Sequence, residues 1–345
     1  MAERHIYIDE APGETRGVVT LGGRPERLLI ERPGETWLRL GFRRRARVTL
    51  IDRTLGLAVL DLGDGQEASL RLKADRPPPT QGQALDIEIV IEPQGGKPAV
   101  ARVLAAETDH GPLPHSPSLE QRLAALAPGA HATGGREARA VADQAEDEAL
   151  AIEHALAGGA SLAIEPTRAL TAVDIDLGSG GGRDGKRAAR QANMTALSEL
   201  GRLLRLKGLG GLVVVDLVGR GHDGQALTRA AQTAFSADQP GVAIGPITKF
   251  GTLELALPRR IRPVREILCD GEGRPSVQTL ALRLTRAIER QARAAPGDRL
   301  AVRCAPDIAI AAKGPAGILE GIIGARFEVV PDPTLGRDQW DIGAP

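Results

Sequence analysis

Asp174 and Asp176 close the segment "TAVDID", two residues apart at the end of an apolar run. On a strand that spacing puts both carboxylates on one face, where they can share a ligand. Asp216 ends a second apolar run, "GLVVVD". The segment between the two runs reads as a helix over about 186–207, long enough to bring the second strand back parallel beside the first. The two strand ends then become neighbours. Carboxylates gathered in this way repel one another, and a divalent cation is the simplest agent that makes the cluster favourable. Oxygen ligands of this kind suit Mg²⁺, which keeps several of its waters. An ion with an open coordination position activates water and stabilises charge on a phosphodiester, so phosphodiester hydrolysis is the chemistry expected. The competing reading is that each Asp only forms a turn or caps a helix after a buried strand.

The elements that must position these acids follow from periodicity. In 161–265, "SLAIEP", "ALTAVDID" and "GGLVVVDL" read as strands, a second helix is expected over about 224–236, and "GVAIGPIT" and "GTLELAL" read as two further strands. Their nearly continuous apolar runs predict strands covered on both faces by helices. Residues 1–105 alternate apolar and polar with period two between Gly and Pro turns, and the last five of these short strands fit an OB-type barrel. A Pro/Ser stretch, "GPLPHSPS", and Ala-rich charged segments around 117–127 and 136–157 make 106–160 a linker with helices. In 266–345, a helix over about 275–293, the strand "RLAVRCAP", a short helix and "RFEVVPD" predict a small α/β unit. The fold expected is α+β and multidomain: N-terminal strands plus barrel, linker and helices, a metal-binding mixed α/β domain, and a small C-terminal α/β domain.

Composition narrows the function classes. A chain of 345 residues accommodates two or three domains of roughly 100–150 residues. With 44 basic against 44 acidic residues, total charge names no partner. Locally, Arg43, Arg44, Arg45 and Arg47 form a dense basic cluster that can contact phosphates without reading sequence, or can be a solvated strand edge. Asp and Glu crowd 142–153. Cys269 and Cys304 are too few for a disulfide framework. No 18-residue apolar run occurs, and "MAERHIYIDE" lacks the apolar stretch of a signal peptide, so a cytoplasmic protein without a membrane segment is expected. Two Trp, one Tyr and four Phe limit any function that stacks many bases on aromatic rings.

The segments "LTAVDID", "NMTALSELGRLLRLKGLGGLVVVDL" and "ITKFGTLEL" together resemble the catalytic region of the RNase E/G family of endoribonucleases. Asn193, the "LRLKGLGG" run, Asp216 and the Lys249-Phe250-Gly251 turn occur in the family's order and with similar spacing. "AIEHALAGGASLAIEPTRAL" is similar to the lead-in segment, "FEVVPDPTLGRDQWDI" to the small terminal domain, and the first 35 residues to the N-terminal strands. The resemblance implies a deoxyribonuclease-I-like catalytic domain in which Asp174 and Asp216 hold Mg²⁺. It implies cleavage of single-stranded RNA that leaves a 5′ phosphate. Asp176 stands where the family has an Asn that orients the first aspartate, and it would orient or join the ion. Lys249 stands where the family has an Arg, keeping the cation near the scissile phosphate but losing bidentate recognition.

Other departures concern RNA grip and assembly. The segment "RARVTLIDRTLGLAVLDLGDG" resembles the family's OB-type RNA-binding domain, but Val59 and Ser69 occupy its base-stacking positions. Only about 60 residues lie where larger members carry most of an RNase H-like domain and a 5′-monophosphate pocket, and no matching Arg-Thr motif is present. The family's zinc link between subunits uses Cys-x-x-Cys, here Glu266 and Cys269. A homodimer, if formed, would therefore lack that link. The "GSGGG" loop at 178–182 could alternatively cradle a phosphate, and His222-Asp223 lies near the end of the Asp216 strand. The rival to a nuclease is a catalytically degenerate RNA-binding or regulatory protein on the same fold.

Overall fold

The computed structural model of the chain describes residues 3–35, 38–75, 77–104, 115–178, 185–221 and 223–344. Strands β1 (Arg4–Ala11), β2 (Glu14–Leu21) and β3 (Arg24–Glu31) form an antiparallel meander. Next come β4 (Arg43–Asp52), β5 (Leu57–Gly63), β6 (Gln66–Arg71), β7 (Ala84–Ile91) and β8 (Ala99–Val103), which close into a barrel in the order β4-β5-β6-β8-β7. Every second residue of these strands points inward, as the period-two pattern requires. Ala58, Leu60, Ile87 and Ile89 fill the interior. The closed five-stranded, OB-like barrel expected from sequence is therefore present.

Helix α1 (Leu119–Leu126) and the short β9 (Ala132–Thr133) lead to α2 (Gly135–Leu150), with β9 adding a parallel edge to β1. Then follow β10 (Glu153–Ala155), β11 (Ser161–Pro166), β12 (Thr171–Asp176), α3 (Gly185–Lys207), β13 (Gly211–Asp216), α4 (Gly224–Ala234), β14 (Ala243–Ile244) and β15 (Thr252–Leu257). The strands make one mixed sheet in the order β10-β11-β12-β13-β15-β14. The short α5 (Val264–Leu268) joins this body to α6 (Val277–Ala294), β16 (Leu300–Cys304), α7 (Pro306–Ile323), β17 (Phe327–Pro331) and β18 (Trp340–Gly343). The last three strands pair as β17-β16-β18 over a core shared with α6 and α7.

Helices α2 and α3 are packed between the N-terminal meander and the central sheet. Val18 and Leu28 from the meander join one core with Ala142, Ala196, Leu200 and Leu203 from the helices and Val173, Ile175, Val213 and Val215 from the sheet. Burying each such Val, Leu or Ile contributes about 1.5–3 kcal/mol. Close approach of α3 and α4 depends on Gly201, where a Cβ would stand 2.7 Å from the Ala234 carbonyl oxygen. The other face of the central sheet is open. Ala172, Asp174 and Asp176 of β12 are exposed, as are Leu212 (43%) and Asp216 of β13, and Glu254 and Ala256 of β15. This corrects the expectation of strands covered on both faces: the outward Ala, Leu and Val residues imitate burial in the sequence.

Three boundaries also differ from expectation. The helix expected over 136–157 stops at Leu150, because Lys207 Nζ donates to the carbonyls of Glu148 (3.2 Å), Ala149 (3.1 Å) and Ala151, freeing 153–155 for β10. The strand expected in "GVAIGPIT" reduces to Ala243–Ile244. The helix expected to be short in the C-terminal unit runs for 18 residues through Pro315.

Buried charge ties the layers together. Arg16, 1% exposed, donates from Nε to Asp9 (3.0 Å), from Nη1 to Glu146 (2.9 Å) and from Nη2 to Asp143 (2.7 Å). Arg139 bridges Asp9 (3.0 Å) and Glu289 (2.7 Å), Arg283 holds Glu146 (2.7 Å), and Arg286 and Arg32 share Glu14. Burial pushes the Asp9 and Glu146 carboxyls up, yet the surrounding guanidinium groups pull both below the usual carboxylate range. Burial, with Lys207 nearby, lowers His154 to about 4.

Truncating one partner leaves buried charges uncompensated, so Arg16→Met is expected to cost about 3–5 kcal/mol in urea unfolding. Both kinds of shift act in the same direction with pH. The unfolded chain binds protons that the folded one refuses, so stability is lost on acidification. Thermal melting should fall first below about pH 6.5, where unfolded His154 protonates, and more steeply below about pH 4, where the carboxylates do. A melting temperature that is flat from pH 7 to 3 would contradict this.

Candidate functional site

Parallel pairing of β12 and β13 makes Asp174 and Asp216 Cα partners. Adjacent strands lie about 4.8 Å apart, so the two carboxylates stand side by side on the open face. Ala163 partners Asp174 from β11, and Thr252 partners Asp216 from β15, which completes one row across the sheet. Among the described residues, neither aspartate side chain has a hydrogen-bond or ion-pair partner. Asp176 lies on the same face, roughly 7 Å further along the strand. Its Oδ1 accepts the Gly178 N–H at 2.9 Å, which shapes the turn leaving β12. No cluster of three or more His, Cys, Asp or Glu able to hold a metal occurs among the described residues. The donor set is thus two neighbouring carboxylates open to water. This suits Mg²⁺, which is commonly held by one or two carboxylates while keeping its waters.

Two devices fix the surrounding backbone. Asn193, buried in α3, donates from Nδ2 to the Val218 carbonyl (3.0 Å) and accepts the Val218 N–H at Oδ1 (3.1 Å). This two-way clamp holds the chain as it leaves Asp216. On the far side, the Thr248 N–H donates to the Thr252 carbonyl (2.9 Å), and the two threonine hydroxyls meet at 2.7 Å. Leu217 donates to the Gly251 carbonyl at 3.2 Å, so the 248–252 turn is fastened to the end of β13. Lys249 stands in that turn, its Nζ 4.9 Å from the centre of the Phe250 ring. The threonine pair was not singled out from sequence, and neither was Glu254, whose register partner is Val214 on the open face. Alternation in "GTLEL" was the available signal for Glu254, whereas nothing local marks Thr248 as a clamp.

The remaining candidates are dispersed. Arg43 pairs with Glu88 (2.9 Å), Arg44 with Asp64 (3.2 Å) and Arg45 with Asp86 (2.7 Å), while Arg47 donates to the Gly82 carbonyl (3.3 Å). Val59 and Ser69 are cross-strand partners on β5 and β6, forming one small aliphatic and hydroxyl patch on the barrel. Glu266 accepts the Gly95 N–H (3.1 Å), linking α5 to the barrel. Cys269 packs against the central core, and burial raises its thiol pKa. Asp223 caps α4 by accepting the Ala226 N–H (3.1 Å) and pairs with Arg190 (3.3 Å). His222 and residues 179–182 of the glycine loop lie outside the described residues.

Residues 137–260, from α2 to just beyond β15, match the Ribonuclease E/G family. Over this segment the chain is similar to that family. It is similar to Ribonuclease G of Salmonella typhimurium, at 27% identity over 201 residues covering 54% of this chain and 41% of that protein. Ribonuclease G of Escherichia coli K12 gives 26% identity over the same extent. Ribonuclease E of Buchnera aphidicola subsp. Acyrthosiphon pisum gives 32% over 148 residues, 40% of this chain and 16% of that protein. The chain thus spans about two fifths of the length of the Ribonuclease G relatives it matches. The Ribonuclease E/G segment contains Asp174, Asp176, Asn193, Asp216 and Lys249, whereas the barrel and the C-terminal unit lie outside it.

Because Asn193 satisfies both polar groups of Val218 from a buried position, Asn193→Leu is expected to destabilise the fold by about 1–3 kcal/mol. Hydrogen exchange should rise first at Leu217 and Val218. Unchanged exchange there would show that the clamp does not hold the strand end.

Proposed function

We propose that the chain is a metal-dependent endoribonuclease that hydrolyses phosphodiester bonds of single-stranded RNA at Asp174 and Asp216, on a deoxyribonuclease-I-like domain. The observation that carries this reading is the in-register pair of unmatched carboxylates inside the segment shared with the Ribonuclease E/G family. The pair stands on the open face near the carboxyl ends of two parallel strands, the end at which ligands of α/β sheets commonly bind.

Asp174 and Asp216 would hold Mg²⁺, which when bound supplies Lewis-acid stabilisation of the phosphate and a lowered pKa for water. Asp176 keeps the turn beside the site in shape and adds negative charge that favours a cation. The ammonium of Lys249 would neutralise a phosphate oxygen near the same edge. Asn193 and the Thr248–Thr252 pair hold the two flanking backbones so that the acids need no rearrangement when RNA arrives. Arg43, Arg44, Arg45 and Arg47 on the barrel would contribute phosphate contacts, weakened where each guanidinium already serves a carboxylate. Glu266 and Cys269 act within one subunit, so any homodimer would form without a zinc link. No helix among the described residues is long and apolar enough to cross a membrane, and cytoplasmic RNA is the substrate pool this reading implies.

A fluorescent single-stranded RNA should be cut by the wild type with Mg²⁺ and left intact with EDTA. Asp174→Asn and Asp216→Asn should each lower the rate by more than about a hundredfold, since losing a ligand costs more than losing a residue that only orients one. Retained salt-dependent RNA binding would show the variants to be folded. If both variants cut as well as the wild type, the aspartates are not the site. A wild type that binds RNA without cutting would make the chain an RNA-binding protein.

A further inference from the structure

Large apolar residues in this protein are mostly buried, yet Phe250 is 79% exposed, more than Leu55 (70%) or Ile310 (68%). A single exposed apolar residue is ordinary by itself, but a phenyl ring mounted beside the candidate site offers a large, rigid surface for contact with a ligand. Its mounting is stiff. Phe250 donates its N–H to Thr248 Oγ1 at 3.3 Å, and Gly251 donates to the Thr248 carbonyl at 3.0 Å. Gly251 adopts φ +89°, a conformation that favours glycine and lets the turn close tightly. The ring is therefore held outward by the same turn that is fastened to the strand end carrying Asp216. Lys249 Nζ sits 4.9 Å from the ring centre, a cation–π distance, and it covers one face.

We propose that Phe250 is a stacking platform for an unpaired nucleobase of the RNA whose phosphate lies at Asp174 and Asp216. The ring face not covered by Lys249 receives the base. This inference rests on the nuclease reading and adds to it the part of the substrate held beside the acids. A duplex base has both faces already stacked, so the platform selects single strands. It also supplies what the barrel lacks, since Val59 and Ser69 present no ring. A base on a rigid ring fixes the adjoining phosphate near the acids and the ammonium, so Phe250 is a binding and positioning residue that takes no part in proton transfer.

The test uses a short single-stranded RNA carrying 2-aminopurine at one of several successive positions, bound to the full chain in Ca²⁺, with cleavage measured separately in Mg²⁺. Stacking on Phe250 quenches the fluorophore at one position. Phe250→Ala should abolish that quench and raise Kd and KM about five- to a hundredfold with little change in kcat. Phe250→Trp should restore both. Quenching and affinity that are unchanged in Phe250→Ala overturn the proposal, as does a loss of self-association with RNA binding intact, which would make the ring a contact between copies. Quenching that depends on Phe250 in a protein that never cuts would retain the platform and remove the nuclease. Cleavage with no quench at any position would retain the nuclease and remove the platform. If RNA neither binds nor is cut, both fall.

Discussion

Arg16 is the point on which the architecture turns. Its guanidinium, buried in the N-terminal meander, can be tolerated only if carboxylates surround it, and those carboxylates come from two elements: Asp9 from β1, Asp143 and Glu146 from α2. Arg139, Asp143 and Glu146 are spaced so that one face of α2 carries all three. Thr279, Arg283 and Arg286 do the same on α6, facing Arg32, Glu146 and Glu14. The network fixes the meander, the central helix layer and the C-terminal unit in one register. Such a network adds little net stability over an apolar core, but misplacing any one element strands several charges, so it penalises alternative packings strongly.

That constraint reaches the candidate site through α2 and α3. A second buried group, Arg202 with Glu148 at 2.5 Å, joins the two helices, and Lys207 at the end of α3 caps the end of α2. With α3 held in this way, β12 and β13 are presented to it by Val173, Ile175, Val213 and Val215, and every alternate residue must face away. Asp174 and Asp216 are exposed because their neighbours are buried. The parallel return over α3 then sets them opposite one another. The position of the site is thus a consequence of core packing, and Asn193 adds a buried link between the helix layer and the loop beyond Asp216.

The sequence disclosed what is local and periodic. Alternation marked the barrel strands, and the two Asp-ended runs flanking one long helical segment were enough to make Asp174 and Asp216 neighbours. The open outer face was not legible, because Ala172, Leu212 and Val214 on it are as apolar as residues inside. The early end of α2 was hidden too, since the lysine that caps it belongs to α3. The helix expected to be short between β16 and β17 contains Pro315, and packing on α6 carries it past that residue. The acids crowding 142–153 read as a local negative field. In the fold, several of them are neutralised from β2, α3 and α6, and no local rule could have paired them.

Charge on the open face bears on how metal and RNA would cooperate. Strands β11, β12, β13 and β15 bring Glu165, Asp174, Asp176, Asp216 and Glu254 to it, and no Lys or Arg occurs within those four strands. Several of these acids lie within a screening length of about 8 Å of one another, so a bare polyanion is repelled where it must dock. A divalent cation at Asp174 and Asp216 would offset their two charges and place a positive centre where a phosphate must dock. On the nuclease reading, metal and RNA therefore bind with positive coupling, and the factor by which the ion tightens RNA equals the factor by which RNA tightens the ion. The barrel cannot substitute for this, because three of its four clustered arginines are already paired with carboxylates. On the same reading, grip on RNA would come from the acid pair with an ion, from Lys249, and from contacts that carry no charge.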